Sequence, residues 1–121
     1  MAPKGQEVIV GMRRDATFGP MLMFGMGGVL VEQIKDISFK VAPISEEDID
    51  DMLASTIAGK LLAGYRGAAK GDIAAVKDVI ARLSQLALDF PEIAEVEINP
   101  LIVHPEGQGA LALDSRAIIK R

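Results

Sequence analysis

The spacing of apolar residues changes along the chain, and each change marks a new element. Glu7-Val8-Ile9-Val10-Gly11-Met12 is β-rich and predicts a first strand. Met21-Leu22-Met23-Phe24 is short and wholly apolar, as expected of a strand buried on both faces. Val29 to Ile34 predicts a third strand. Asp36 to Ala42 alternates, with Ile37, Phe39 and Val41 on one face and Asp36, Ser38 and Lys40 on the other, and predicts a fourth. Short strands joined by glycine turns imply an antiparallel sheet, because a parallel pair needs a crossover helix.

After Pro43 the period becomes helical. Ser45-Glu46-Glu47-Asp48 has the form of a capping box, with Ser45 as N-cap, Asp48 at N3 and acids near the positive end of the helix dipole. Ile49, Met52, Leu53 and Ile57 supply its apolar stripe. Gly59 is expected to end this helix, and Leu61-Leu62 to form a short second one. Asp72 caps the most periodic segment, in which Ile73, Val76, Ile80, Leu83 and Ala87 recur at helical spacing, Val79, Leu86 and Phe90 widen the stripe, and Pro91 stops it. Alternation then returns in Glu95 to Val103 and in Ala110 to Asp114, which read as a hairpin. The order predicts an α+β fold: one domain over residues 1–121, an antiparallel sheet with helices on one face.

The hairpin carries the candidate chemistry. Glu95, Glu97 and Asn99 share one face of the first strand, and Val96 and Ile98 the other. Pairing the two strands brings Glu97, Asn99 and Asp114 toward one another. Two carboxylates and an amide oxygen are hard ligands that suit Mg²⁺, with water and phosphate completing the shell. The same spacing also fits a solvated strand face carrying acids by chance. Arg13-Arg14, at the end of the first strand, fits either an anion site or a solvated terminus. Gly25-Met26-Gly27-Gly28 is not a phosphate loop of the usual kinds, since it leads from strand to strand and not into a helix N-terminus. It fits a tight turn, or a flap whose glycines let backbone approach a ligand closely.

Composition narrows the function. Half of the 121 residues are hydrophobic and a quarter are charged, which favours a compact core or an apolar surface meant for a partner. A net charge of -4 and five aromatic residues leave neither a basic stripe nor a stacking platform for nucleic acid. The absence of cysteine removes disulfide, thiolate and zinc–thiolate chemistry. The longest apolar run, Met21 to Val31, is broken by Gly25, Gly27 and Gly28 and is shorter than a membrane span, which is roughly 20 residues. The expectation is a cytoplasmic domain with no membrane partner.

Four segments resemble the C-terminal lobe of the ATP-grasp domain of NDP-forming acyl-CoA synthetases. That family includes the β part of ADP-forming acetyl-CoA synthetase and, more distantly, succinyl-CoA synthetase β. The segments are Glu7 to Asp15 continuing through Phe18-Gly19-Pro20, then Met23 to Glu32 running into Lys35 to Pro43, then Leu61 to Gly67, and Leu83 to Asp114 with Glu97-Ile98-Asn99-Pro100-Leu101 inside it. Together they cover nearly the whole chain. The resemblance implies that Glu97, Asn99 and Asp114 hold the Mg²⁺ of ATP or ADP. It implies phosphoryl transfer through a phosphohistidine and an acyl phosphate to CoA, with cations such as Arg14 or Lys40 stabilising charge; on the flap reading Gly27 and Gly28 lie against the nucleotide. After the Gly64-Tyr65-Arg66-Gly67 run the family favours prolines, and this chain has Ala68-Ala69-Lys70.

The resemblance also implies missing parts. The N-terminal ATP-grasp lobe, the CoA-binding and ligase domains or α subunit, and the phosphohistidines lie outside the matched region. His104, the only histidine, sits at the hairpin turn and reads as structural or solvent-exposed. The chain is therefore expected to be inactive alone and, with lobe-facing surface uncovered, to self-associate. The alternative is a regulatory or interaction lobe of a multidomain acyltransferase fusion, which binds without turnover.

Overall fold

The computed structural model describes residues 5–27, 35–64, 67 and 69–119. The expected third strand over Val29 to Ile34, Gly28, and Tyr65, Arg66 and Ala68 of the glycine-bearing loop lie outside the described residues. The elements run β1 (Gln6–Asp15), β2 (Gly19–Met26), β3 (Ile37–Val41), α1 (Glu46–Ala54), α2 (Ile57–Leu62), α3 (Ile73–Asp89), β4 (Ile93–Val103), β5 (Ala110–Ala112) and β6 (Ser115–Ile119). The sheet order is β3-β2-β1-β4-β5, with β6 also pairing β4, and all the pairings are antiparallel.

The three helices among the described residues pack on one sheet face. Val8, Val10, Met12, Leu22, Phe24, Leu101 and Val103 from the strands meet Ile49, Met52, Leu62, Val76, Ile80 and Leu83 from the helices in one core. The opposite face shows the other half of the alternation. Across it run the register rows Phe39–Met23–Gly11–Glu97–Arg116 and Val41–Met21–Arg13–Glu95–Ile118. Phe39 and Val41 are exposed there, so the apolar face of β3 points away from the helices. On the covered side Lys40 donates to Asp51 of α1 at 2.8 Å.

Local chemistry explains the element ends. Ser45 Oγ accepts from the Asp48 N–H and Asp48 Oδ2 accepts from the Ser45 N–H, the reciprocal capping box that the sequence predicts. The first helix, however, ends before Gly59. Thr56 caps α2, its Oγ1 accepting from the Gly59 N–H, and Gly59 lies inside α2. A Cβ at Gly59 would run into the Leu53 backbone, so this glycine serves a close helix–helix approach and not a helix stop. Gly25 and Met26, expected in a turn, extend β2, because Gly25 packs against the Asp36 and Ile37 backbone of the paired strand.

Candidate metal and nucleotide site

β4 is the central support of the site. It pairs with β1 on one side and with β5 and β6 on the other. Its start follows α3 closely, and α3 also fixes the hairpin turn. Asp72 Oδ1 accepts from the Ala75 N–H as N-cap, and its Oδ2 accepts from the Gly109 N–H at 2.7 Å. One carboxylate thus ties the helix N-terminus to the turn between β4 and β5.

The second arm of the hairpin is not one strand. β5 ends at Ala112, Leu113 and Asp114 step out of the ladder, and β6 resumes pairing with β4 at Ser115 opposite Ile98. The break lies opposite Asn99 and Pro100. There the Asn99 N–H donates to the Asp114 carbonyl and the Leu113 N–H to the Pro100 carbonyl, both at 3.1 Å. Asp114 therefore ends β5's side of the break without ending the sheet. Glu97, Asn99 and Asp114, with Ser115 and Arg116, line a pocket of about 110 Å³.

Within the pocket one atom stands out. The Glu97 side chain is 11% exposed, and its Oε1 is buried with no hydrogen-bond partner among the described residues. Its Oε2 lies 3.9 Å from Arg116 Nη2, beyond hydrogen-bond length. A buried carboxylate oxygen without a partner is costly unless a cation completes it. Glu97, Asn99 and Asp114 make a hard-oxygen donor set that fits Mg²⁺, which commonly takes one or two carboxylates plus waters and substrate phosphates. No group of three or more His, Cys, Asp and Glu side chains is gathered for a metal among the described residues. The pocket instead combines two carboxylates with the Asn99 amide.

The other sequence candidates lie elsewhere. Arg14 sits on the helix-covered side, where it donates to the carbonyls of Ile93 and Ala87 at 2.6 Å and Phe90 at 3.0 Å, clamping the C-terminus of α3 to β4. Lys40 is bound to Asp51, and that bond, chief among its neighbours' effects, raises its pKa above the usual lysine value. Strand alternation is the reason neither reaches the Glu97 pocket. Gly27 donates its N–H to the Glu7 carbonyl and packs so tightly on Val8 that no side chain fits. His104 holds the turn through backbone bonds with Asp72 and Gly109. The residue that sequence reasoning missed is Arg116. Its signal was available: the alternation that pairs the hairpin arms sets it directly across from Glu97.

The comparisons agree with this architecture. The ATP-grasp domain family matches residues 1–119. The chain is 48% identical over 119 residues to the acetate–CoA ligase [ADP-forming] I subunit beta of Pyrococcus furiosus, spanning 98% of this chain and 50% of that protein. It is 46% identical over 116 residues to the 4-hydroxybutyrate–CoA ligase [ADP-forming] of Nitrosopumilus maritimus, 96% of this chain but 17% of that one. The solved structure of dinucleotide-forming acetyl-coenzyme A synthetase 1 from Ca. Korarchaeum cryptofilum, in complex with coenzyme A and Mg-AMPPCP, aligns with a TM-score of 0.89 at 45% identity, over 99% of this chain and 55% of that one. The chain thus spans half or less of the length of these curated relatives. On the family match over nearly its whole length, the chain belongs to the ATP-grasp domain family.

Proposed function

We propose that this chain is the Mg²⁺- and ATP/ADP-binding C-terminal lobe of an ADP-forming acyl-CoA synthetase, the second half of an ATP-grasp unit. The observation that carries the reading is the buried, unpartnered Glu97 Oε1 in a pocket with Asn99 and Asp114, on the sheet face that the helices leave uncovered. The relatives add to it, since the two curated ones are named as ADP-forming ligases and the similar solved synthetase is in complex with Mg-AMPPCP.

Bound there, Mg²⁺ would supply neutralisation of phosphoryl charge during transfer between nucleotide and a phosphohistidine or acyl phosphate. The chain's own residues do the positioning. β4 holds Glu97 and keeps most of its surface from water. The break between β5 and β6 turns Asp114 to the same pocket, and Asp72 steadies the turn that joins the arms. The complementary lobe, the CoA-binding and ligase domains or α subunit, and the phosphoryl-carrying histidine are supplied by partners. Nearly equal identity to an acetate and a 4-hydroxybutyrate ligase supports placing acyl choice in those other parts.

Calorimetric titration with Mg-ADP, on the chain and on the chain joined to its complementary lobe, tests the reading. Binding is expected in the joined protein and lost on Asn99→Ala with Asp114→Ala. Absence of binding in the joined protein, or indifference to that double substitution, overturns it.

A further inference from the structure

Arg116 stands where a cation would compete for Glu97. It is the direct register partner of Glu97 across β4 and β6, and it shares the pocket wall with Glu97, Asn99 and Asp114. Its side chain is 63% exposed, whereas that of Glu97 is 11% exposed. The 3.9 Å between Nη2 and Oε2 is a charge-to-charge contact and not a hydrogen bond. Arg13, on the same sheet face, is different: its Nε is hydrogen-bonded to Glu95 at 2.9 Å. The Glu97 carboxylate is thus divided, with one oxygen near a guanidinium and the other buried without a partner among the described residues.

We propose that Arg116 is a placeholder cation for this pocket: it neutralises Glu97 in the metal-free chain, yields that carboxylate to a divalent cation, and turns its guanidinium to the phosphate oxygens of the nucleotide. This rests on reading Glu97, Asn99 and Asp114 as a metal site. The side chain suits both roles. Its stem is long and solvated, and its planar fork matches phosphate oxygens. The consequence is selectivity. A fixed positive charge beside the ligands repels a bare divalent cation, but the same charge attracts a cation that arrives with nucleotide phosphates. Arg116 therefore biases the pocket against free metal and toward the metal–nucleotide complex.

The test uses Mn²⁺ as probe, followed by electron paramagnetic resonance. In the full chain, Arg116→Ala should tighten binding of Mn²⁺ alone by about tenfold, the scale of one nearby unit charge acting on a divalent ion through water. Arg116→Lys keeps the charge and should restore the original affinity. In the chain joined to its complementary lobe, Arg116→Ala should instead weaken Mn-ADP binding by about tenfold, with Arg116→Lys between the two. These opposite directions separate the proposal from structural support, which would weaken both together. Unchanged Mn²⁺ affinity in Arg116→Ala, or parallel weakening, overturns it. Glu97→Gln distinguishes the two levels of the argument. If it abolishes Mn²⁺ binding while Arg116→Ala is neutral, the metal site stands and the placeholder role falls. If it leaves Mn²⁺ affinity intact, both fall.

Discussion

Arg13 and Arg14 are neighbours in the sequence and do opposite things. Arg14 points to the helix-covered side and is consumed by three carbonyls at the junction of α3 and β4. Arg13 points to the other face and pairs with Glu95, on the same face as Glu97 and in the neighbouring register row. The contrast extends to the faces as wholes. Several charged and polar groups around the helices close on one another: Lys40 with Asp51, Lys77 with Glu46 and Asp50, Ser45 with Asp48. The uncovered side leaves Glu97 Oε1 without a partner among the described residues. The ion pairs around the helices are closed, and so is Arg13 with Glu95, whereas the Glu97 carboxylate keeps one buried oxygen without a partner among the described residues.

The largest expected effect comes from breaking the closed side. Arg14→Ala removes a charged donor from three carbonyls, including two at the end of α3 where the dipole favours a cation. It should lower stability by about 2–3 kcal/mol, read from the urea midpoint, and leave Mn²⁺ affinity unchanged. Loss of Mn²⁺ affinity with little change in stability would instead assign Arg14 to the site.

Glu97→Gln should act in the reverse sense. It keeps the shape but removes a largely buried charge whose Oε1 has no partner among the described residues. Without metal, the variant should be more stable than the parent chain by about 1 kcal/mol, while Mn²⁺ binding is lost. A destabilised variant would show that Glu97 serves the fold, which would erase the distinction between the faces.

Much of this distinction was legible in the sequence. Alternation through Glu95 to Ile98 put the acids on one face and the aliphatic residues on the other, and helical spacing found the buried stripe of α3. The capping box at Ser45 needed only local chemistry, so sequence was enough. The errors lie where tertiary contact decides. Gly59 looked like a helix stop, and only the Leu53 backbone beside it explains a glycine there. Phe39 and Val41 share a face as predicted, but alternation cannot say which face the helices will cover. Arg14 and Lys40 are cations in the sequence, and only the sheet shows that they bond on the side away from Glu97. The split of the second hairpin arm at Leu113-Asp114 depends on pairing with both ends of β4, a nonlocal relation that no short window contains.

The smallest expected effect concerns the closed side under acid. The backbone bond from Ser45 holds the Asp48 carboxyl below its usual pKa, opposed by desolvation and helped by the Ser45 hydroxyl and Lys40. Its folded value therefore lies below its unfolded one. The cap's contribution is fully present above the usual aspartate range, about pH 4, and is lost as pH falls through the lower folded value. Asp48→Asn should flatten that part of the acid limb, seen as a smaller change in urea midpoint between neutral pH and pH 3. Lys77 gives the mirror case. Its bonds to Asp50 and then Glu46 raise its pKa, so its contribution is present below the usual lysine value and lost as alkaline pH passes the raised one. Both groups are at the surface, where solvent screens them, so each shift should be slight. An acid limb equally steep in Asp48→Asn would mean that the cap is not what acid removes, and the comparison of faces would lose its clearest closed pair.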